Sequence, residues 1–187
     1  MAGRSSFGGF CGWRRTGKFG KETPTMSGRI IFLCTGNICR SPLAEVLAAE
    51  KFAGRGVSCG SAGLDATIGL PASCSSGQYA ASVGLELGGH HSQPIGPQLL
   101  AASSWMIGMT RSQAAIFRSR YGHAYQGKVG ILGAPGVDLA QGGPSPEVEE
   151  VDDPYGMPSE CYFDCGDQIS RLLQGWTPVF EALKQAR

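Results

Sequence analysis

A cysteine and an arginine lie six residues apart in the segment IIFLCTGNICRSPLAEVL, between an apolar run and the start of a helix. Cys34 is a candidate nucleophile, and Arg40 carries a planar, permanently charged guanidinium that can hold two phosphate oxygens at once. A thiolate needs positive potential nearby at neutral pH, and a strand-to-helix junction provides it through backbone N–H groups and the helix N-terminus. Gly36 allows the loop to turn tightly. This layout predicts a phosphate-binding loop with a nucleophile at its base.

The same spacing has a second interpretation, in which Cys34 is a buried core residue and Arg40 is a solvated charge. A bare Cys-x5-Arg pattern does not distinguish the two. Three further signals coincide here and favour the chemical interpretation. They are the preceding apolar strand, the glycine in the loop, and a helix start with Ser41 as N-cap and Pro42 in the first turn.

A second candidate site lies near the end of the chain, in the sequence Asp152-Asp153-Pro154-Tyr155-Gly156. Pro154 restricts the backbone of Asp153 to extended geometry. Two adjacent carboxylates disfavour simultaneous ionisation, so one of them can keep a proton near neutral pH and act as a general acid. The string is also typical of a solvated acidic turn, and by itself it does not identify an acid.

The elements that must position these residues alternate between strands and helices, as in an α/β domain. Repeated strand–helix units favour right-handed crossovers and a parallel sheet that helices cover on both faces. The loop with Cys34 then lies at the carboxyl end of the first strand, where such sheets bind ligands. Short apolar runs predict strands at 29–33, 57–59, 105–109 and 129–132, and apolar faces predict helices from Ser41 to Gly54, at 73–83, at 112–121 and from 159 onward, with a bend at Gly175 or Pro178.

The bulk composition indicates a single enzyme-sized domain, since 187 residues suit one hydrophobic core. A net charge of +1 indicates neither a nucleic-acid partner nor a membrane surface. No Cys/His cluster has the spacing of metal ligands, so we expect no metal and no cofactor. The cysteine count is odd, at seven, and a loop thiol loses its use if it is oxidised permanently, so we expect a cytoplasmic protein.

Residues 1–27 differ in composition from the rest of the chain. We take residues 28–187 as the catalytic domain. The segment is rich in Gly, Ser and Thr and holds five Lys or Arg against one acid, Glu22. It cannot bury enough apolar surface to offset its chain entropy, so we expect it to be disordered. A targeting segment and a start at Met26 are the open alternatives.

Together these segments resemble the low-molecular-weight protein tyrosine phosphatases, in their bacterial form, over residues 28 to about 185. The resemblance rests on CTGNICRSPLAE, on GSAG at 60–63, on the His91-Ser92 step and on DPYG near the C-terminus. It implies a three-layer α/β sandwich with a four-stranded parallel sheet flanked by helices. It also implies metal-free hydrolysis of phosphotyrosine in phosphorylated proteins, through a phosphocysteine intermediate.

The resemblance assigns roles to the loop and to the acid. Cys34 would attack phosphorus, and Ser41 would donate a hydrogen bond to its sulfur. Asp153 would protonate the leaving oxygen and then activate the water that breaks the intermediate. The implied phosphate-binding residues are Thr35, Gly36, Asn37, Ile38, Cys39, Arg40 and Ser41.

The resemblance also implies a support for the loop. Asn37 matches the family residue that holds the loop in an unusual backbone conformation, and Ser61 and His91 are its candidate partners. We assign no chemistry to His90 or His123.

The implied substrate pocket has Ile38, Leu64 and Tyr155 as its walls. Related arginine phosphatases, which carry a threonine where this chain has Ile38, are the alternative on the same scaffold. An apolar Ile38 suits a phenyl ring and offers no hydroxyl to a guanidinium, so phosphotyrosine is favoured.

Two further alternatives are an arsenate reductase and a non-enzymatic phosphate-binding protein. The first needs two shuttle cysteines, and Cys59 and Cys74 are poorly spaced for that relay.

Loop curvature in the family also brings Cys39 close to Cys34, which predicts a reversible disulfide between them under peroxide.

Overall fold

The computed structural model describes residues 28–140 and 148–185. The segment 1–27, for which we expected disorder, lies outside the described residues. The elements in chain order are β1 (Gly28–Cys34), α1 (Arg40–Lys51), β2 (Val57–Gly63), α2 (Cys74–Ser82), α3 (Pro97–Ala102), β3 (Trp105–Gly108), α4 (Arg111–Tyr121), β4 (Lys128–Ile131), α5 (Ser159–Gly175) and α6 (Thr177–Gln185).

Within the described residues, four strands form a parallel sheet in the order β2-β1-β3-β4. The central strand β1 pairs along its length with β2, and the register places Cys34 opposite Gly63. On its other side β1 pairs with β3, where Leu33 lies opposite Gly108. Cys34 therefore lies at the carboxyl edge of the sheet, as the sequence predicted.

Helices cover both faces of this sheet, because successive side chains of β1 point to opposite sides. Ile30 and Phe32 pack with residues of α1, α5 and α6, among them Phe180, and with Trp176 between α5 and α6. On the other face, Ile31 and Leu33 pack with residues of α3 and α4. The predicted three-layer α/β sandwich is confirmed.

Some boundaries differ from the sequence prediction. Strand β2 runs to Gly63 rather than residue 59, since pairing with β1 overrides the low strand propensity of its small residues. Helix α1 begins at Arg40, and Cys39 occupies its N-cap position. The prediction of Ser41 as N-cap is wrong, because the Ser41 side chain bonds the Cys34 sulfur instead. The expected bend lies at Trp176, between α5 and α6.

Candidate active site

The loop between β1 and α1 wraps around the Cys34 sulfur. Cys34 is 3% exposed. Asn37 has a φ of 56°, in the left-handed region that side chains other than glycine rarely occupy. This conformation turns the backbone N–H of Asn37 toward the sulfur, to which it donates at 3.2 Å. Inward N–H groups of this kind favour a thiolate and can bind an anion above it.

The side-chain amide of Asn37 fixes the direction of the hydrogen bonds around Cys34. Its Oδ1 accepts the backbone N–H of Gln93 at 2.9 Å, which sets the orientation of the amide. Its Nδ2 then donates to Ser41 Oγ at 3.0 Å and to Ser61 Oγ at 2.8 Å. Ser41 Oγ also lies 3.0 Å from Cys34 Sγ. When Cys34 is a thiolate it has no proton to donate, so Ser41 is then the donor, which is the role that the family resemblance implied.

Asn37 is held from two further sides. Ser61, which accepts from the Asn37 amide, in turn donates a hydrogen bond to Glu45 Oε2 at 2.6 Å. His90 Nε2 lies 2.7 Å from the carbonyl oxygen of Asn37. The structure places Ser61 where the resemblance suggested but contradicts the choice of His91, which is exposed. The two histidines lie outside any helix, where neighbouring side chains point in different directions, and only His90 faces the loop.

Gly63 leaves room for the loop. A Cβ atom at this position would lie 2.6 Å from the carbonyl oxygen of Thr35 and 2.7 Å from Ala66 Cβ. It would also lie 3.1 Å from Asn37 Cβ. Gly63, the second glycine of the GSAG segment, is therefore required because the backbone of the loop approaches it closely.

Arg40 connects the loop to the acidic segment. Its Nη1 donates to the carbonyl oxygen of Val151 at 3.2 Å, and its Nη2 lies 2.5 Å from Asp153 Oδ2. The Arg40 side chain is 5% exposed and that of Asp153 is 52% exposed. Asp153 Oδ1 also accepts the backbone N–H of Tyr155 at 3.2 Å. The carboxylate is thus oriented from both oxygens.

Asp152 and Asp153 have different surroundings. Asp153 lines the cavity above Cys34 and also a second cavity next to α5, whereas Asp152 lines only the second of these two. The two carboxylates therefore do not share the site, and the geometry selects Asp153 as the candidate acid.

The cavity above Cys34 has a volume of about 330 Å³. Its apolar walls include Ile38 and Tyr155, as predicted, and also Leu70. Tyr155 is 70% exposed and stands at the rim. The lining residues are Cys34, Thr35, Gly36, Ile38, Cys39, Arg40, Asp65, Thr67, Leu70, Asp153 and Tyr155.

The prediction of Leu64 as a pocket wall is wrong. Leu64 is 5% exposed and packs in the core with Ala62, two residues earlier. Side chains two residues apart in an extended segment lie on the same face, so both point inward. The backbone N–H of Leu64 donates to the carbonyl oxygen of Cys34 at 2.9 Å. Asp65 and Thr67 line the pocket instead, and no motif in the sequence indicated them.

The other thiols differ from Cys34 in their surroundings. Cys39 lines the same cavity, is 3% exposed, and lies 4.0 Å from the hydroxyl of Tyr162. Burial raises the pKa of its thiol above the ordinary value. Burial also raises the pKa of Cys165 and of Cys59, each to about 12. High pKa values make these thiols poor nucleophiles.

Among residues 28–140 and 148–185, no group of three or more His, Cys, Asp or Glu side chains is arranged to hold a metal ion. No helix in these ranges is long and apolar enough to cross a bilayer.

Comparisons with known proteins place this geometry in a family. The family model of the low molecular weight phosphotyrosine protein phosphatases matches residues 29–187. A probable low molecular weight protein-tyrosine-phosphatase, EpsP of Ralstonia nicotianae, is 31% identical over 156 residues, which cover 82% of this chain and 97% of EpsP. A protein-arginine-phosphatase of Bacillus subtilis is 31% identical over 148 residues, which cover 78% of this chain and 91% of the relative.

Solved structures agree with this placement. The YwlE arginine phosphatase of Geobacillus stearothermophilus superposes with a TM-score of 0.69 at 28% identity, and the match covers 84% of this chain and 94% of YwlE. A low molecular weight protein tyrosine phosphatase of T. tengcongensis gives a TM-score of 0.69 at 26% identity, covering 81% and 99% of the two chains. The chain therefore belongs to the low molecular weight phosphotyrosine protein phosphatase family, as its motifs indicated.

Proposed function

We propose that this protein hydrolyses phosphotyrosine in phosphorylated proteins, with Cys34 as nucleophile and Asp153 as general acid. One observation carries the proposal. The Cys34 sulfur receives hydrogen bonds from Ser41 and from the Asn37 N–H at the base of a pocket, and Arg40 and Asp153 form the side of that pocket.

In the first step the Cys34 thiolate attacks phosphorus, so that a P–S bond forms as the P–O bond to the phenol breaks. The transition state spreads negative charge over three phosphoryl oxygens. The Arg40 guanidinium beside the pocket and the inward N–H of Asn37 are placed to stabilise that charge, and the phosphoryl group shares or replaces the contact of Arg40 with Asp153. Asp153 donates its proton to the leaving oxygen, and the products are the phenol and phosphocysteine.

In the second step water attacks the phosphocysteine. Asp153, now a carboxylate, accepts a proton from this water as the P–S bond breaks. Inorganic phosphate leaves, and Cys34 returns as a thiolate. The hydrogen bond from Ser41 stabilises the sulfur as a leaving group, for the same reason that it stabilises the thiolate nucleophile.

The walls of the pocket favour an aromatic substrate. Ile38, Leu70 and Tyr155 provide apolar surface on which a phenyl ring can be buried. The second candidate is phosphoarginine, because relatives named as arginine phosphatases are about as similar to this chain as those named as tyrosine phosphatases. Ile38 cannot satisfy the N–H groups of a guanidinium, which favours phosphotyrosine.

The test compares kcat/KM for matched phosphotyrosyl and phosphoarginyl peptides. We expect hydrolysis of both p-nitrophenyl phosphate and the phosphotyrosyl peptide, with the latter preferred over the phosphoarginyl peptide. Faster hydrolysis of the phosphoarginyl peptide would overturn the substrate assignment. Absence of turnover with every ester would instead support a phosphate-binding protein, and arsenate reduction coupled to thioredoxin would support a reductase.

We further propose that residues 28–187 suffice for catalysis and that the protein acts in the cytoplasm. All cysteines of the described ranges are free thiols, which suits a reducing compartment. Deletion of residues 1–25 should leave kcat/KM and Tm unchanged. A clear drop in either quantity would contradict this domain boundary.

A further inference from the structure

We propose that Asp65 is a specificity-determining residue, which selects phosphotyrosine substrates that carry a basic side chain next to the phosphorylated residue. This inference rests on the proposed function. Asp65 lies two residues beyond the end of β2 and lines the pocket that contains Cys34 and Arg40. Its backbone N–H donates to the carbonyl oxygen of Thr35 at 2.9 Å. Asp65 is thus attached to the phosphate-binding loop itself.

The carboxylate of Asp65 is held in place by Arg120 of α4. Arg120 Nη1 donates to Asp65 Oδ1 at 2.7 Å and to the carbonyl oxygen of Leu64 at 2.9 Å. The hydrogen bond to Asp65 raises the pKa of the Arg120 guanidinium. The Asp65 side chain is 59% exposed, so a substrate can reach it. The bond to Arg120 uses Oδ1, and Oδ2 is the oxygen that a donor on the substrate would bind.

The charge of this wall is unusual for a pocket that receives a phosphate dianion. Among the described residues that line the pocket, Arg40 is the one cation, whereas Asp65 and Asp153 are both carboxylates. Arg40 is already bound to Asp153. Arg120 offsets part of the Asp65 charge through Oδ1 but does not line the pocket, so the repulsion between this carboxylate and the dianion falls further when the substrate brings a positive charge to Oδ2. A lysine or arginine adjacent to the phosphotyrosine provides that charge.

The apolar walls of the pocket and Asp153 are not placed to bind a basic residue of the substrate. Ile38, Leu70 and Tyr155 are apolar and suit the ring of the phosphotyrosine. Asp153 faces Arg40 and is occupied with proton transfer in the proposed mechanism. Asp65 is therefore the charged group of the pocket that a neighbouring residue of the substrate can bind.

The experiment measures kcat/KM for two phosphotyrosyl peptides that differ only in an arginine or a glutamine next to the phosphotyrosine. The wild-type enzyme should prefer the arginine peptide by about twofold to fivefold, the range of exposed ion pairs. In Asp65→Asn the ratio should fall close to one. Raising the ionic strength to about 1 M, where the Debye length is about 3 Å, should lower the wild-type ratio and leave that of the variant unchanged.

A matched control removes the same charge far from the pocket. Glu50 is exposed near the end of α1, about 15 Å along the helix axis from Arg40. Glu50→Gln should keep the wild-type ratio. A change in folding alone would lower both rates together and would not alter the ratio or its salt dependence.

Three results would overturn the proposal. One is an equal rate for both peptides in the wild type, and the second is a ratio that survives in Asp65→Asn. The third is an effect of Asp65→Asn confined to a phosphoarginyl peptide, which would assign Asp65 to the phosphorylated side chain itself. Failure of the proposed function is distinct, because neither phosphotyrosyl peptide would then be hydrolysed.

Discussion

The guanidinium of Arg40 binds the carboxylate of Asp153 across 2.5 Å, from a side chain that is 5% exposed to one that is 52% exposed. The residue proposed to hold phosphate and the residue proposed to move the proton therefore restrain each other. A phosphoryl group that binds to Arg40 must share or replace this contact. In the proposed mechanism this release frees the Asp153 carboxyl to protonate the leaving oxygen, where a general acid is needed.

The first prediction concerns this acid. Asp153→Ala should slow hydrolysis of esters with poor leaving groups by about 10² to 10⁴ in kcat, because only these need the proton. Esters with good leaving groups should lose much less. The measurement is the dependence of kcat on the pKa of the leaving phenol. Asp152→Ala serves as the control, since Asp152 lies outside the pocket. An equal loss across leaving groups, or a larger loss from the control, would transfer the role.

The second prediction concerns the backbone contact at Gly63. Gly63→Ala should lower kcat/KM and stability, since its Cβ would lie 2.6 Å from the carbonyl oxygen of Thr35. Overpacking of this kind costs about 1 to 3 kcal/mol. Gly77→Ala is the control, because Gly77 lies in α2 and a Cβ atom at this position would meet no neighbouring heavy atom within 4 Å. It should keep the kinetics and keep or raise Tm. Native kinetics and Tm in Gly63→Ala would show that the loop can shift.

The third prediction separates two substrates that share all catalytic groups. Ile38 is part of the apolar wall of the pocket. Ile38→Thr removes apolar surface and adds a hydroxyl, so it should shift the ratio of kcat/KM toward phosphoarginyl peptides by about tenfold. The ratio for matched peptides is measured in both proteins. A ratio that stays the same would remove Ile38 as the residue that discriminates between the two substrates.

The fourth prediction concerns oxidation. Peroxide should convert the Cys34 thiolate to a sulfenic acid, and the Cys39 sulfur should then form a disulfide with it as water leaves. Activity restored by dithiothreitol should be high in the native protein and low in Cys39→Ser, and Cys74→Ser, an exposed thiol outside the pocket, should resemble the native protein.

The pH dependence of this protection follows from the raised pKa of Cys39. A raised pKa keeps the thiol protonated at neutral pH, so the fraction of thiolate, and with it the rate of disulfide formation, should increase as pH rises. Equal recovery in Cys39→Ser, or a rate that falls with pH, would contradict a resolving role for Cys39.

The sequence predicted the loop well because its chemistry is local. Cys34, Asn37, Arg40 and Ser41 lie within eight residues, between a strand and a helix that the pattern identifies. The fold class was also predictable, since alternation of strands and helices leaves few ways to bury both faces of a parallel sheet.

The features that the sequence missed depend on how distant segments meet. His90 rather than His91 faces Asn37, and Leu64 rather than Asp65 turns into the core, because the orientation of each side chain is set by tertiary packing. A shift of one residue reverses such an assignment. The short helix α3 was missed because six residues give too little periodicity to recognise.

The central claim is that Cys34 carries the phosphoryl group during turnover. Its most direct test is rapid acid quenching of the native enzyme during hydrolysis of a phosphotyrosyl peptide, followed by mass spectrometry of the digest. One phosphoryl group should appear on the sulfur of Cys34, and Cys34→Ser should lose turnover while it still binds phosphate. Substantial turnover by Cys34→Ser, or a phosphoryl group on another residue of the native enzyme, would contradict the claim.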